Sequence, residues 1–249
     1  MFTFTVFGLS ISPNIYGLMY ALSFILGYMI LQKRKFLTTK LLDDFFMYIF
    51  FGVILGGRLG YTLFYNFDYY SNNLLDILKV WEGGMSFHGG VLGVVGAMLL
   101  FAHKNKLNFY KVSDELCAIL PIGLGLGRLG NYANKELLGY SDYTGPLAIE
   151  INNVSYFPSP LLEAFLEGLI LYFVLLYFYK HKKFHGQVAS MFLIGYGVFR
   201  LIVELFFRQP DSHIGYVFSI FSLGSLLSIP MIIIGIFFYL KLRNIKSEK

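Results

Sequence analysis

The sequence predicts an all-α, polytopic integral membrane protein of seven transmembrane helices, with its N-terminus outside and its C-terminus cytoplasmic. Three observations lead there. Of the 249 residues, 56% are hydrophobic and only 14% charged, which is not the composition of a soluble globule. The apolar residues gather in seven runs near the roughly 20 residues that cross a hydrocarbon core of about 30 Å. The basic residues, finally, collect in alternate connections between those runs.

The runs are residues 15–31, 43–64, 86–102, 114–132, 160–179, 187–207 and 214–240. Residues 1–12 are short and lack a basic n-region, so the first run is expected to serve as its own targeting signal. Lys33, Arg34, Lys35 and Lys40 follow the first run, Lys104, Lys106 and Lys111 the third, Lys180, Lys182 and Lys183 the fifth, and Lys241, Arg243, Lys246 and Lys249 the seventh. The opposite connections hold only Lys79, Lys135 and Arg208. That asymmetry sets the orientation. It also assigns the net charge of +5 to topology rather than to nucleic acid. The connections 65–85 and 133–159 are the long ones, rich in Asn, Asp, Tyr and Gly, and are expected outside on a single membrane-embedded domain, 1–249.

Cys117 is the one cysteine and the five histidines are scattered, so neither a disulfide nor a metal site is expected, and no cofactor is implied. Gly125-x-Gly127-x-x-Gly130 matches a dinucleotide-binding pattern, but no strand precedes it and the surroundings are apolar, so that reading is rejected.

Charges inside the runs carry the functional signal, because an ionisable residue in hydrocarbon costs about 2.5–3.5 kcal/mol or more and needs a partner. At 1.5 Å per residue, Arg58 and Arg128 lie about 21–23 Å and Arg200 about 20 Å from the cytoplasmic ends of their runs, all in the outer half. His88 stands at the outer mouth of the third run. Tyr196, Arg200 and Glu204 recur every four residues on one stripe, where Arg200 and Glu204 can pair. Arg128, Asn131 and Asn134 form a second line, and Tyr16 meets the outer interface. Each has a bland alternative: a register-fixing ion pair for Arg200 and Glu204, an interfacial histidine for His88, a snorkelling cation for Arg58. Convergence at one depth instead predicts a polar cavity for a phosphate-bearing lipid head group, since arginine holds phosphate bidentately and stays charged in low dielectric.

One stretch is specific. Residues 128–139, Arg-Leu-Gly-Asn-Tyr-Ala-Asn-Lys-Glu-Leu-Leu-Gly, closely resemble the motif GRxGNFxNxExxG of the bacterial prolipoprotein diacylglyceryl transferases. Tyr16-Gly17-Leu18-Met19-Tyr20, Gly57-Arg58-Leu59-Gly60-Tyr61, Ser86-Phe87-His88-Gly89-Gly90, and Arg200 to Glu204 with Arg208-Gln209-Pro210-Asp211 join it in the same order. The resemblance implies a seven-helix enzyme of the bacterial plasma (inner) membrane, moving the diacylglyceryl group of phosphatidylglycerol to the thiol of the lipobox cysteine of a prolipoprotein and releasing glycerol phosphate. It further implies His88, Arg200 and Glu204 as catalytic residues, and Arg128, Asn131, Tyr16 and Gly139, with Glu136 and Arg58 at lower weight, as substrate-binding; helical spacing adds Asn134 and Tyr196 to the substrate-binding set. Either His88 or Glu204 would take the thiol proton. The chain departs from the family where it reads Phe157-Pro158-Ser159-Pro160-Leu161-Leu162-Glu163 in place of a stretch like HPSQLYE. A transporter or flippase for an anionic phospholipid, using the same cavity without chemistry, is the alternative reading.

Overall fold

The computed structural model describes residues 4–6, 9–11, 15–209 and 222–247. Two short antiparallel hairpins, β1 (Phe4–Val6) with β2 (Leu9–Ile11) and β3 (Ile149–Ile151) with β4 (Val154–Tyr156), accompany a chain that is otherwise helical. The helices are α1 (Ile15–Arg34), α2 (Thr39–Phe64), α3 (Phe67–Asn72), α4 (Phe87–Lys104), α5 (Phe109–Cys117), α6 (Leu120–Ala133), α7 (Ser159–Glu163), α8 (Leu171–Lys180), α9 (Gln187–Phe206) and α10 (Leu223–Ser247). A π-helical segment, Ala164–Ile170, joins α7 to α8 in one rod.

Among the described residues, six helical stretches are long and apolar enough to cross a membrane: Ile15–Arg34, Thr39–Phe64, Phe109–Ala133, Ser159–Lys180, Gln187–Phe206 and Gly224–Ile245. The third predicted run corresponds to a shorter apolar helix, His88–Lys104. The fourth begins earlier than expected, at Phe109, and is interrupted after Cys117. Pro121, in the first turn of α6, has no N–H for the preceding turn and restricts the residue before it, so one helix stops and another starts. The predicted start of the seventh run, at residue 214, lies outside the described residues. The outward faces are apolar, with Leu55, Leu92, Phe173 and Ile233 each more than half exposed, while several carboxylates and Arg58 are buried. That inverts a soluble protein's pattern and suits hydrocarbon surroundings.

The chain divides into two compact units, residues 31–113 and residues 1–30 with 114–249. In the first, α2 and α4 meet through glycines. A Cβ on Gly56 or Gly60 would lie 2.7 Å from the Cα of Gly93 or Gly89, so only hydrogen at those positions permits the approach. Ser86 caps α4 by accepting from Gly89 N at 3.2 Å.

In the second unit, Asp114 on α5 is fully buried and accepts from the backbone N–H groups of Gly186, Val188 and Ala189 at 2.9–3.0 Å. It satisfies the open donors at the start of α9 and sets its negative charge at the positive end of that helix. Gly186, at φ 90°, takes the left-handed turn that presents them. Farther along, α6 and the π segment touch through Gly125 and Gly168, where a Cβ on Gly168 would sit 2.7 Å from the Gly125 Cα. This contact sets Arg128, one turn beyond Gly125, beside the glutamates of the rod.

Candidate active site

The second unit holds a buried ring of charge. Arg128 Nε lies 2.8 Å from Glu163 Oε2 and 3.2 Å from Glu167 Oε2. Arg200 Nη1 donates to Glu163 Oε2 at 2.5 Å, and its Nη2 pairs with Glu204 Oε1 at 2.5 Å. Arg200 Nη1 also stands 3.7 Å from Glu167 Oε1. Arg208 Nη1 is 3.2 Å from Glu204 Oε1 and 3.8 Å from Glu163 Oε1, and neither contact is a hydrogen bond. Glu163 and Glu167 are 0% exposed. Arg128 and Arg200, from different helices, therefore converge on the same two carboxylates.

Each member is placed by helical spacing. Glu163 and Glu167 are four apart, and the π segment, whose wider turn brings such residues nearly into line, turns both toward Arg128 and Arg200. Arg200, Glu204 and Arg208 follow one another at four-residue steps along and just past α9. Tyr196, one turn before Arg200, is buried and stacks on Phe192 at 5.8 Å. Glu204 is fully engaged: beyond its two arginines, its Oε2 accepts from Ser222 Oγ at 2.6 Å. That arrangement makes it a holder of Arg200 rather than a free proton acceptor.

A more accessible polar group adjoins the ring. The Tyr16 hydroxyl, from α1, donates to Glu136 Oε2 and accepts from Asn131 Nδ2, and Asn134 also hydrogen-bonds to it. Asn131 is three residues from Arg128, so the two share a face of α6. Gly139 acts through its backbone. Its N–H donates to Phe157 O at 2.9 Å, it bridges to Arg208, and Gln209 N–H donates to Leu138 O at 3.2 Å. A Cβ there would come within 2.5 Å of Phe207 O. The glycine thus lets three chain segments close around Arg208 and Glu163.

Arg58 and His88 belong to the other unit. Arg58 is 3% exposed and is occupied locally, donating to the carbonyls of Asp76, Ile77 and Gly83 at 2.5–2.8 Å and lying 5.1 Å from the Tyr70 ring centroid. It fastens the connection 65–85. In that connection Asp76 is held below the ordinary carboxylate range by hydrogen bonds from Lys79 and Tyr69. His88 is exposed in the first turn of α4.

Sequence reasoning passed over Glu167 and gave Arg208 no role. The signal existed: Glu163 and Glu167 are acidic neighbours at four-residue spacing in an apolar run, which demands cations from elsewhere. Pro210 and Asp211 lie outside the described residues. At the departing stretch, Phe157 packs into an aromatic cluster with Tyr140, Tyr143 and Phe207 at 5.1–5.4 Å. Pro160 sits in the first turn of α7, where no N–H is required. Those positions are filled by packing, and Glu163 alone carries charge into the ring.

Comparison with known proteins bears directly on this arrangement. A family model described as prolipoprotein diacylglyceryl transferase matches residues 3–241. A relative from Bordetella parapertussis is 46% identical over 236 residues, covering 90% of this chain and 89% of its own. One from Vibrio campbellii is 44% identical over 234 residues, covering 91% and 85%, and one from Teredinibacter turnerae is 45% identical over 259 residues, covering 98% and 90%. All three are named phosphatidylglycerol–prolipoprotein diacylglyceryl transferase.

Proposed function

The chain belongs to the prolipoprotein diacylglyceryl transferase family, and from that premise we propose that it moves the diacylglyceryl group of phosphatidylglycerol to the thiol of a prolipoprotein cysteine, releasing glycerol phosphate. The acceptor is the lipobox cysteine at the end of a signal peptide. The enzyme works in the bacterial plasma membrane, crossing it seven times with α4 as the short third span, the N-terminus outside and the ring near the outer face. The relatives carry a transferase's name, which favours group transfer over the transport reading.

One observation carries the chemistry: Arg128 and Arg200 stand together in a buried site, each within 2.8 Å of Glu163 Oε2. In the reaction, the thiolate attacks the glyceryl carbon bonded to the phosphate oxygen. A C–S bond forms, the C–O bond breaks, and its electron pair leaves on a phosphate monoester. Two guanidinium groups in low dielectric offset the charge that grows there. Asn131, oriented by the Tyr16 hydroxyl, adds a donor beside Arg128. Glu204 positions Arg200, and His88, the histidine of the family-like stretch Ser86–Gly90, is the proposed acceptor of the thiol proton. The assay is direct: purified protein, phosphatidylglycerol vesicles and a lipobox peptide should give a peptide heavier by one diacylglyceryl group in mass spectrometry. A folded preparation that yields no adduct defeats the proposal.

A further inference from the structure

Among the described residues the charges of the ring cancel, Arg128, Arg200 and Arg208 against Glu163, Glu167 and Glu204. A neutral, largely buried cluster is poorly prepared for an anion. If a phosphodiester entered with every carboxylate still ionised, one negative charge would stay uncompensated in low dielectric, where isolated charge is most costly. Something in the ring has to yield as the lipid arrives.

The carboxylates are not held equally. Glu163 Oε2 has Arg128 at 2.8 Å and Arg200 at 2.5 Å. Glu204 has Arg200 at 2.5 Å, Arg208 at 3.2 Å and the Ser222 hydroxyl at 2.6 Å. Glu167 has only Arg128 at 3.2 Å and Arg200 at 3.7 Å; its fully buried Oε1 has no hydrogen-bond partner, which is also true of Glu163 Oε1, so the longer arginine contacts are what set Glu167 apart. Of the described residues, the charged and titratable groups that face it are Arg128 from α6, Arg200 and Tyr196 from α9, and Glu163 one turn back on its own rod. The two cations it holds are those a phosphate would need.

We infer that Glu167 is the exchangeable counter-ion of the site: it neutralises Arg128 and Arg200 while the site is empty, and takes up one proton from solvent when an anionic phosphodiester replaces it. The balance closes. The ring goes from neutral to one positive charge, the lipid brings one negative charge, and the total returns to zero. Protonation also converts Glu167 from an acceptor that competes with phosphate into a carboxylic acid that can donate to it. This inference rests on the transferase reading, since it needs phosphatidylglycerol to bind between the arginines.

The test is calorimetric titration of the full chain in detergent with dihexanoyl phosphatidylglycerol, in buffers of different ionisation heat, from pH 6 to 9. Wild-type protein should take up close to one proton per lipid, with a Kd that rises about tenfold per pH unit where linkage is complete. Glu167→Gln should take up none, show a Kd flat with pH, and bind at least tenfold more tightly than wild type at pH 9. Glu167→Asp should restore the slope. Binding without proton uptake by wild type, or an unchanged slope in Glu167→Gln, overturns the inference alone. If the Gln variant does not fold, the wild-type proton count and the Asp variant decide. Failure of wild type to bind the lipid at any pH removes the transferase reading as well.

Discussion

Replacing Arg200 by lysine keeps the charge and removes the fork, which makes it the sharpest test of the ring. Arg200 spans two carboxylates with two nitrogens, Nη1 at 2.5 Å from Glu163 Oε2 and Nη2 at 2.5 Å from Glu204 Oε1. A single ammonium can serve one of them well. Hydrogen bonds to charged groups contribute about 1.5–3 kcal/mol each. Glu204 keeps Ser222 and Arg208, so the loss belongs toward the lower end, about 2 kcal/mol. Arg200→Ala is a different perturbation, leaving two buried carboxylates short of a cation at a cost of about 3–5 kcal/mol. The same fork is asked to meet phosphate in the transition state, where 2 kcal/mol is roughly 30-fold in kcat/KM. Thermal unfolding in detergent, run beside the peptide adduct assay, reads both quantities. If Arg200→Lys matches wild type in both, or if Lys and Ala are equally damaging, bridging by the guanidinium is not what holds this site.

Three further outcomes follow from the same geometry. His88→Gln should retain phosphatidylglycerol binding while turnover falls about 10²- to 10⁴-fold, and a wild-type rate would exclude the histidine as base. Arg58→Ala removes three hydrogen bonds to the carbonyls of Asp76, Ile77 and Gly83, so residues 65–85 should be cut faster by an added protease; equal cleavage would mean that Arg58 does not fasten them. Asp114→Ala strands three N–H groups at the start of α9, and with about 1–3 kcal/mol for each buried donor left unsatisfied the loss of stability should exceed that of Arg200→Lys in the same melting experiment.

Much of the helical frame was legible because hydrophobic run length is set by the bilayer, a constraint that acts on each span by itself. The ends were less so. Pro121 divides the fourth run and Ser86 caps the third, both through backbone hydrogen bonding that composition does not weigh. Tyr196, Arg200 and Glu204 were readable as one stripe because all three lie on a single α-helix. Glu163 and Glu167 share that same four-residue spacing and were readable as a pair; what the sequence did not show is which cations of other helices they meet, Arg128 and Arg200. Gly139 could be marked as special from sequence, yet only the paths of Phe157 and Phe207 show why a side chain cannot stand there.

The missing signal is one of charge balance. An arginine in hydrocarbon is tolerable only beside an anion, so the cations inside apolar runs predict anions inside other apolar runs. Arg128 and Arg200 demand partners, Glu204 is one, and the other acidic residues within the predicted runs are Asp43, Asp44, Asp114, Glu115, Glu163 and Glu167. Helical depth then says which can meet. Such a count finds the ring without any family motif, and it also exposes a tension that a motif hides. A site whose arginines are already matched cannot accept phosphate unless a carboxylate gives way, so the residue that looks most purely structural, a fully buried glutamate whose nearest arginine stands farther off than that of either other carboxylate, is where the proposal couples lipid binding to proton uptake.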